Sequence, residues 1–128
     1  MSVGYLPHGF DLFNVEHLGL VAAASGLCDR LVVGVYDDDE VLARTGRPPV
    51  VPLAERLDIV GCVRGVDEAV VHSSGADLSK LSVFVSEADL ADWPDQGSRR
   101  VTALPSTRTS TSPVLLRALR AVTDEAVA

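Results

Sequence analysis

The chain has 128 residues, of which 47% are apolar, and a formal net charge of −7. This length predicts one domain, residues 1–128, with room for a single sheet covered by helices. The negative charge argues against binding to nucleic acids or anionic membranes, whose phosphates attract basic surfaces. No apolar run approaches the ~20 residues that cross a bilayer, and no secretory signal is recognisable. We therefore expect a cytoplasmic protein.

The first elements form a strand–turn–helix pattern. A short apolar strand from Val3 leads into a turn that starts at His8, and apolar residues at helical spacing then predict a helix over 14–25. Gly26 is expected to end this helix in the left-handed conformation that glycine tolerates. The pattern places unpaired helix N–H groups at the carboxyl end of a strand, where anions bind readily.

The middle of the chain predicts two further strands. The β-branched run over 30–36 indicates a strand buried on both faces. The acidic residues 37–40 are expected to close it, and Asp37, Asp38 and Asp39 either form a solvated turn or hold a cation. Glycine and three prolines predict a loop over 41–52, followed by a helix over 53–64 and a third strand over 66–72.

The last part continues the alternation of strands and helices. A short polar crossover over 73–80 precedes predicted strands over 81–85 and 101–104, and the final helix is expected over 113–126. This alternation predicts an α/β fold: a Rossmann-like, doubly wound parallel sheet of about five strands with helices on both faces. Such sheets bind their ligands beyond the carboxyl ends of the strands.

The two cysteines, Cys28 and Cys62, are predicted to be small buried side chains without a disulfide, as in a reducing cytosol. Together with His8 and His17 they show no metal-ligand spacing, so no metal site is predicted.

Several motifs resemble those of the nucleotidyltransferase superfamily. The segment Phe10-Asp11-Leu12-Phe13, followed by His17, resembles the signature Gly-Thr-Phe-Asp followed by His-x-Gly-His. Residues 64–68 match an Arg-x-Val-Asp-Glu segment, and residues 104–112 resemble the motif that precedes the last helix. The chain is similar, over almost its whole length, to the small cytidylyltransferases typified by glycerol-3-phosphate cytidylyltransferase.

The resemblance implies a Rossmann-like fold and a homodimer, with the helix that ends near Arg64 close to the contact. It also implies transfer of a nucleotidyl group, CMP from CTP, to a small phosphorylated alcohol with release of pyrophosphate. Magnesium is expected to accompany the nucleoside triphosphate.

The resemblance further implies three groups of site residues, taken from the matched motifs. The catalytic group is His17, Asn14 and Arg108. The substrate-binding group is Arg44 and Arg47. The nucleotide-binding group is His8, Gly9, Phe10, Asp11, Glu16, Arg64, Ser110, Thr111 and Ser112.

The chain departs from the signature at the positions that contact phosphate. Asn14 replaces the first histidine and either donates its amide to phosphate or caps the helix. Glu16 replaces the glycine and places a carboxylate where the triphosphate is expected. His8 either contributes an imidazole from a new direction or faces solvent.

The motif before the last helix also departs from the pattern. Ser106 stands where relatives have arginine, although Arg108 lies two positions away. The hydroxyls of residues 110–112 either cradle a phosphate or cap the helix. These departures leave open a second hypothesis: a catalytically inactive relative that binds a nucleotide, another small anion or a partner protein.

Overall fold

A computed structural model of the protein describes residues 1–73, 77–78, 80–90, 93, 101–105 and 110–127, with side chains left out for 112, 113 and 123–127. Five strands form one parallel sheet: β1 (Val3–His8), β2 (Arg30–Tyr36), β3 (Glu68–His72), β4 (Ser82–Ser86) and β5 (Val101–Leu104). Their order is β3-β2-β1-β4-β5, and every neighbouring pair is parallel. The predicted α/β architecture is confirmed.

In the described parts of the chain, five helices accompany the strands: α1 (Val15–Ser25), α2 (Asp38–Thr45), α3 (Leu53–Gly61), α4 (Glu87–Leu90) and α5 (Ser112–Val127). The chain moves from β1 towards β2 and β3 and later crosses to β4 and β5. The strand order therefore reverses beside β1. Such a reversal opens a crevice at the carboxyl ends of the strands, which is where ligands of open α/β sheets bind.

Apolar side chains bury both faces of the sheet. On one face Leu6 and Val33 pack with Val21 of α1 and Val60 of α3. On the other face Tyr5, Val83 and Val85 pack with Leu78, and the partly buried Leu81 and Trp93 lie against them. Burial on both faces explains why β2 reads as an almost continuous apolar run.

A buried polar pair lies within the second face. The hydroxyl of Tyr5 and Nδ1 of His72 are 2.7 Å apart, and both residues are buried. A Cβ added to Gly34 would collide with the Tyr5 hydroxyl. Strand β2 therefore has glycine at position 34 because the Tyr5 side chain approaches the backbone too closely for any larger residue.

The structure corrects the predicted loop after β2. Residues 38–45 form α2, because Asp37 accepts a 2.7 Å hydrogen bond from the backbone N–H of Glu40 and acidic residues fill the first turn. Gly46 ends this helix at a φ of +79°. The loop prediction for residues 41–45 was wrong, since the breaking residues begin only at Gly46.

Three smaller predictions also need correction. Gly26 ends α1 as predicted, but with a right-handed φ of −74° instead of a left-handed one. The helix α3 ends at Gly61 and not near Arg64. Cys62 is exposed and Cys28 half-buried, and both thiols are free. The crossover over 73–80 lies partly outside the described residues.

None of the helices within the described ranges has both the length and the apolar character that membrane crossing requires.

Candidate functional site

Two adjoining pockets open at the carboxyl end of β1, where the strand order reverses. The first pocket, of about 320 Å³, lies between the start of α1 and α4. The second pocket, of about 630 Å³, lies against α2. Both pockets are lined by His8, Asp11, His17, Asp89 and Leu116. These shared residues form the boundary of a single composite site.

The first turn of α1 fixes Asn14 and His17 against each other. The Asn14 side-chain oxygen accepts a 3.0 Å hydrogen bond from the backbone N–H of Glu16, and the Asn14 amide group donates to the carbonyl of Leu12. In return, the backbone N–H of Asn14 donates to Nδ1 of His17 over 3.1 Å. This is a capping box with histidine at the third helical position. The capping role considered for Asn14 is confirmed.

The cap also determines the chemistry of His17. Because Nδ1 accepts a backbone N–H, the neutral ring carries its proton on Nε2. Only 7% of the residue is exposed, and burial, with His8 as a secondary cause, lowers the pKa of His17 to about 3. At neutral pH His17 is therefore an uncharged N–H donor at the boundary between the pockets.

His8 has the same arrangement at the end of β1. Its Nδ1 accepts a 3.0 Å hydrogen bond from the backbone N–H of Phe10, so the neutral ring carries its proton on Nε2. That nitrogen lies 3.7 Å from Oδ2 of Asp89. Burial lowers the pKa of His8, and the nearby Asp89 and Glu16 oppose this shift. The ring centroids of His8 and His17 are 4.9 Å apart, so the two imidazoles are in direct edge-to-face contact.

The turn between β1 and α1 is held in an unusual conformation. Phe10 and Leu12 have φ values of +53° and +49°, a region that costs non-glycine residues about 1–3 kcal/mol each. Phe10 anchors the turn because its side chain is buried in the core. Asp11 ties it to the following loop by accepting from the backbone N–H groups of Val50 and Val51 at 2.8 and 2.9 Å. The carboxylate of Asp11 thus orients the turn.

A buried arginine, absent from the residues predicted for the site, supports this turn. Arg56 is 1% exposed, and its Nη1 donates to the carbonyls of Gly9 and Tyr36 at 2.8 and 2.7 Å. Its Nε donates to the carbonyl of Val51, and its Nη2 pairs with Asp38 at 2.6 Å. The sequence contains a signal for this burial, since Arg56 lies on the same face of α3 as the buried Val60.

Two arginines line the second pocket, together with Asp11 and Asp89, which it shares with the first pocket. Arg44 lies with its guanidinium carbon 4.6 Å from the Tyr36 ring centroid and 5.2 Å from that of Trp93. Its Nε donates to Glu40 over 2.7 Å, which fixes the planar group beside the pocket. Arg120 of α5 also lines this pocket, although sequence analysis did not select it. Stacked and oriented guanidinium groups suit phosphate or carboxylate ligands.

The first pocket has an acidic lining. Asp11, Glu16, Glu87 and Asp89 line it, and its described lining residues include no lysine or arginine. The Ser86 hydroxyl donates to Asp89 over 2.9 Å, which orients that carboxylate. In the described part of the chain, no three His, Cys, Asp or Glu side chains are grouped as metal ligands.

The structure brings most of the expected residues together and separates a few. Arg64 lies in the turn before β3, at the amino-terminal edge of the sheet, and lines neither pocket. Arg47 is exposed on the loop after α2. Arg108 and Ser106 lie outside the described residues. Residues 110–112 lead into α5, whose Leu116 lines both pockets. The residues that line the site as expected are His8, Gly9, Phe10, Asp11, Asn14, Glu16, His17 and Arg44.

Sequence comparison finds nucleotidyltransferases among the relatives. The chain is 33% identical to FAD synthase of Pyrococcus abyssi over 87 residues, and the aligned region covers 68% of this chain and 59% of the relative. It is 42% identical over 66 residues to ethanolamine-phosphate cytidylyltransferase of Arabidopsis thaliana, spanning 52% of this chain and 15% of the relative. It is 33% identical over 100 residues to the bifunctional protein HldE of Gluconacetobacter diazotrophicus, and the aligned region covers 75% of this chain and 21% of the relative. The chain thus covers at most 59% of the length of these relatives.

Structural comparison agrees on the fold. The lipopolysaccharide core biosynthesis protein of Thermoplasma volcanium superposes with a TM-score of 0.65 at 19% identity, covering 86% of this chain and 99% of that protein. No protein-family model matches the chain. By its sequence relatives the chain is similar to the cytidylyltransferase-like nucleotidyltransferase superfamily, and its fold agrees with that of the structural neighbour.

Proposed function

We propose that this chain transfers a nucleotidyl group, CMP from CTP, to a small phosphorylated alcohol and releases pyrophosphate. The observation that carries the proposal is the pair of neutral imidazoles, His8 and His17, at the start of α1. Each ring has its Nδ1 held by a backbone N–H, so each presents an Nε2–H donor. The pair lies between two pockets, as expected for a residue set that contacts two substrates.

The chemistry requires positioning more than covalent assistance. An oxygen of the acceptor phosphate attacks the α-phosphorus of the triphosphate, and the bond from that phosphorus to the bridging oxygen of the leaving pyrophosphate breaks. The acceptor phosphate is already ionised, so no general base is needed. The Nε2–H of His17 and the positive end of the α1 dipole stabilise the charge on the reacting phosphate.

The arginines of the second pocket suit the phosphate of the acceptor. Arg44 is oriented by Glu40 and stacked on Tyr36, and Arg120 faces the same pocket from α5. A guanidinium presents paired N–H donors that match two phosphate oxygens. This arrangement supports the role expected for Arg44 from the resemblance.

Magnesium enters this proposal as a companion of the triphosphate. The ion would enter with the triphosphate, as part of the substrate. Its positive charge offsets the repulsion that Glu16 and Asp89 exert on the triphosphate.

A second candidate function is a catalytically inactive relative that binds a nucleotide or another small anion. The acidic lining of the first pocket favours it, because carboxylates near the helix N-terminus weaken triphosphate binding. Loss of one phosphate donor costs ~10²–10³ in rate at comparable sites, and Asn14 replaces such a donor.

Calorimetric titration with CTP and with ATP, each with magnesium, together with a pyrophosphate-release assay, decides between these functions. The assay contains glycerol 3-phosphate as the acceptor. We expect CTP to bind and pyrophosphate to form only when the acceptor is present. Binding without release would establish the inactive relative. Tighter binding of ATP would refute CTP as the donor, and no binding of either nucleotide at millimolar concentration would refute both functions.

A further inference from the structure

A third opening adjoins the composite site and has no part in the transfer chemistry described above. It is a groove of about 540 Å³, and its described lining is entirely apolar. Besides Leu116, that lining consists of Leu12, Phe13, Val51, Ile59, Leu115 and Leu119. We propose that this apolar groove binds an aliphatic chain carried by the phosphorylated acceptor. The proposal rests on the proposed function and names the class of acceptor that the site takes.

The apolar groove is continuous with the site through two leucines. Leu12 lines both the groove and the first pocket, and Leu116 lines the groove and both pockets. A ligand in the second pocket can therefore extend over Leu116 into the groove. This continuity with a phosphate-binding pocket distinguishes the groove from a solitary apolar side chain on the surface, which needs no explanation.

The helix α5 places a phosphate contact beside the wall of the groove. Leu116 and Arg120 lie one turn apart on the same face of the helix, and both line the second pocket. Leu115 and Leu119 form the adjacent stripe, which lines the groove. The same helix thus supplies a guanidinium for the acceptor phosphate and an apolar wall for the carbon chain attached to that phosphate.

The walls of the groove expose apolar surface to water. Leu115 and Leu119 of α5 and Ile59 of α3 are all exposed. Among the described side chains of α5, only Leu116 and Arg120 are not exposed, so this helix contacts the rest of the protein chiefly through residues that line the pockets. A hydrocarbon chain in the groove would remove apolar surface of the protein and of the ligand from water, which is favourable in proportion to the area buried.

The wall that the groove shares with the first pocket is held rigidly. Leu12 has a φ of +49°, a conformation that is unfavourable for a residue with a side chain and that is common at binding sites. The turn around it is fixed on both sides, since the carbonyl of Leu12 accepts from the Asn14 amide and Asp11 accepts from the backbone of the loop before α3. The leucine side chain therefore forms a preformed apolar surface at the junction.

The chemistry of the lining restricts what the groove can bind. Its described side chains carry no hydrogen-bond donor or acceptor. A base, a sugar or an amine would lose hydrogen bonds to water in the groove without replacing them, whereas a hydrocarbon chain has none to lose. The junction at Leu116 joins this chain to a phosphate, because Arg44 and Arg120 line the adjoining pocket.

A series of n-alkyl phosphates tests the proposal by calorimetry. Ethyl, butyl, hexyl and octyl phosphate share one head group and differ only in chain length. Each added methylene should tighten binding about two- to fourfold until the groove is filled, and hexyl phosphate should bind about tenfold or more tighter than ethyl phosphate. The titrations are made with the free protein and with α,β-methylene-CTP and magnesium present, since this analogue cannot release pyrophosphate. Equal affinities along the series, or no binding under either condition, would overturn the proposal.

Matched substitutions on α5 assign the effect to the groove. Leu119→Gln introduces a polar side chain into the wall and should weaken hexyl phosphate binding about threefold or more, with ethyl phosphate binding unchanged. Val122→Gln is the control, because Val122 is 64% exposed where Leu119 is 65% exposed and it lies outside the described lining. The control should leave the whole series unchanged. Equal losses in the two variants would indicate adhesion to the helix surface and overturn the proposal.

The double variant Arg44→Gln/Arg120→Gln tests whether the chain belongs to the acceptor. It should weaken every member of the series by a similar factor, about tenfold or more, because the head group is common to all of them. The gain per methylene should stay the same. Unchanged affinities would mean that alkyl chains bind the groove independently of the phosphate pocket, which would overturn the proposal.

Turnover and assembly separate the remaining possibilities. Pyrophosphate release from CTP at a lower KM for hexyl phosphate than for ethyl phosphate supports the groove and the proposed function together. Dependence of binding on chain length without any pyrophosphate release supports the groove and refutes the catalysis. Release with glycerol 3-phosphate but no dependence on chain length supports the catalysis and overturns the groove. A dimer that Leu119→Gln dissociates, again without dependence on chain length, would assign the groove to a second copy and overturn the proposal.

Discussion

The residue that replaces the first signature histidine holds the second one in place: the backbone N–H of Asn14 donates to Nδ1 of His17. The same residue caps α1 through its side chain. The substitution at position 14 therefore removes an imidazole, while the backbone N–H of the same residue keeps the proton of the remaining imidazole on Nε2. His17 has two separable roles, one in the helix cap and one at the boundary between the pockets.

Two substitutions of His17 should separate these roles. His17→Ala should lower the free energy of unfolding by about 1 kcal/mol, because the reciprocal cap is lost, and should also weaken CTP binding. His17→Gln should retain the cap, since glutamine is common at this position of a capping box, yet weaken CTP binding to a similar extent. Urea unfolding and calorimetry measure both effects. Unchanged CTP affinity in both variants would show that His17 serves the cap alone.

Restoring the signature tests Asn14 and Glu16 together. The double variant Asn14→His/Glu16→Gly should bind CTP more tightly than the wild type, because it gains an imidazole and loses a repelling carboxylate. It should also be less stable, since glycine in a helix costs up to ~1 kcal/mol and the asparagine cap is lost. Calorimetry and pyrophosphate release, measured beside Glu16→Gly alone, assign the gain to each position. Weaker CTP binding by the double variant would mean that the site depends on Asn14 and Glu16 as they are.

Arg56 should be among the most sensitive positions for stability. Arg56→Ala leaves the carbonyls of Gly9 and Tyr36 without their donor, and we expect a loss of about 3–5 kcal/mol or no folding transition at all. The control is Arg30→Ala, whose pairing with Glu68 is largely solvent-exposed and should cost at most about 1 kcal/mol. Thermal and urea unfolding provide the comparison. Similar losses for the two variants would contradict the structural role of Arg56.

Acidification should destabilise the protein through its buried histidine. The pKa of His17 falls from 6.5 to about 3 on folding, so between these values the unfolded chain binds a proton that the native state does not. Stability is therefore highest above pH 6.5 and decreases as the pH falls towards 3, with a slope approaching ~1.4 kcal/mol per pH unit. Burial also lowers the pKa values of His8 and His72, which steepens the decrease.

Urea unfolding at pH 7.5, 6.5, 5.5 and 5.0 measures this slope before most carboxylates titrate. His17→Gln should show a shallower decrease over the same range than the wild type. Identical slopes in the two proteins would contradict the assignment of His17 as a buried neutral ring.

We also predict a homodimer with its contact near the end of α3. The family resemblance of residues 64–68 motivates this prediction, and Arg64 is exposed, which leaves it available to a second copy. Light scattering coupled to size exclusion at tens of micromolar should give twice the monomer mass, and Arg64→Glu should reduce it. A monomer mass for the wild type would exclude the dimer.

The strands were predicted well because their signal is local. The β-branched run of β2 and the apolar stretch of β4 are buried on both faces, which produces a pattern that needs no tertiary information. The helix α2 was missed for the opposite reason. Its acidic first turn reads as a solvated loop, and only the contact of Asp37 with the N–H of Glu40 reveals a cap.

The site was predictable where the motif was continuous and not where it depends on distant contacts. Residues 8–17 form one segment, so matching the signature placed most of the site. Arg120 reaches the second pocket from the last helix, and Asp89 reaches both pockets from a short helix after β4. Neither belongs to a motif with regular spacing. The acidic character of the first pocket arises from four carboxylates in two separate parts of the chain, 11–16 and 87–89, and only the fold brings them together.

The guanidinium of Arg56 binds the carbonyl groups of three chain segments that are separate in sequence: the turn after β1, the end of β2 and the loop before α3. A local opening of any one of these segments breaks a bond shared with the other two. Their amide hydrogens should therefore exchange with solvent at a common rate, as one cooperative unit, and a ligand bound at the turn should slow exchange in all three segments together.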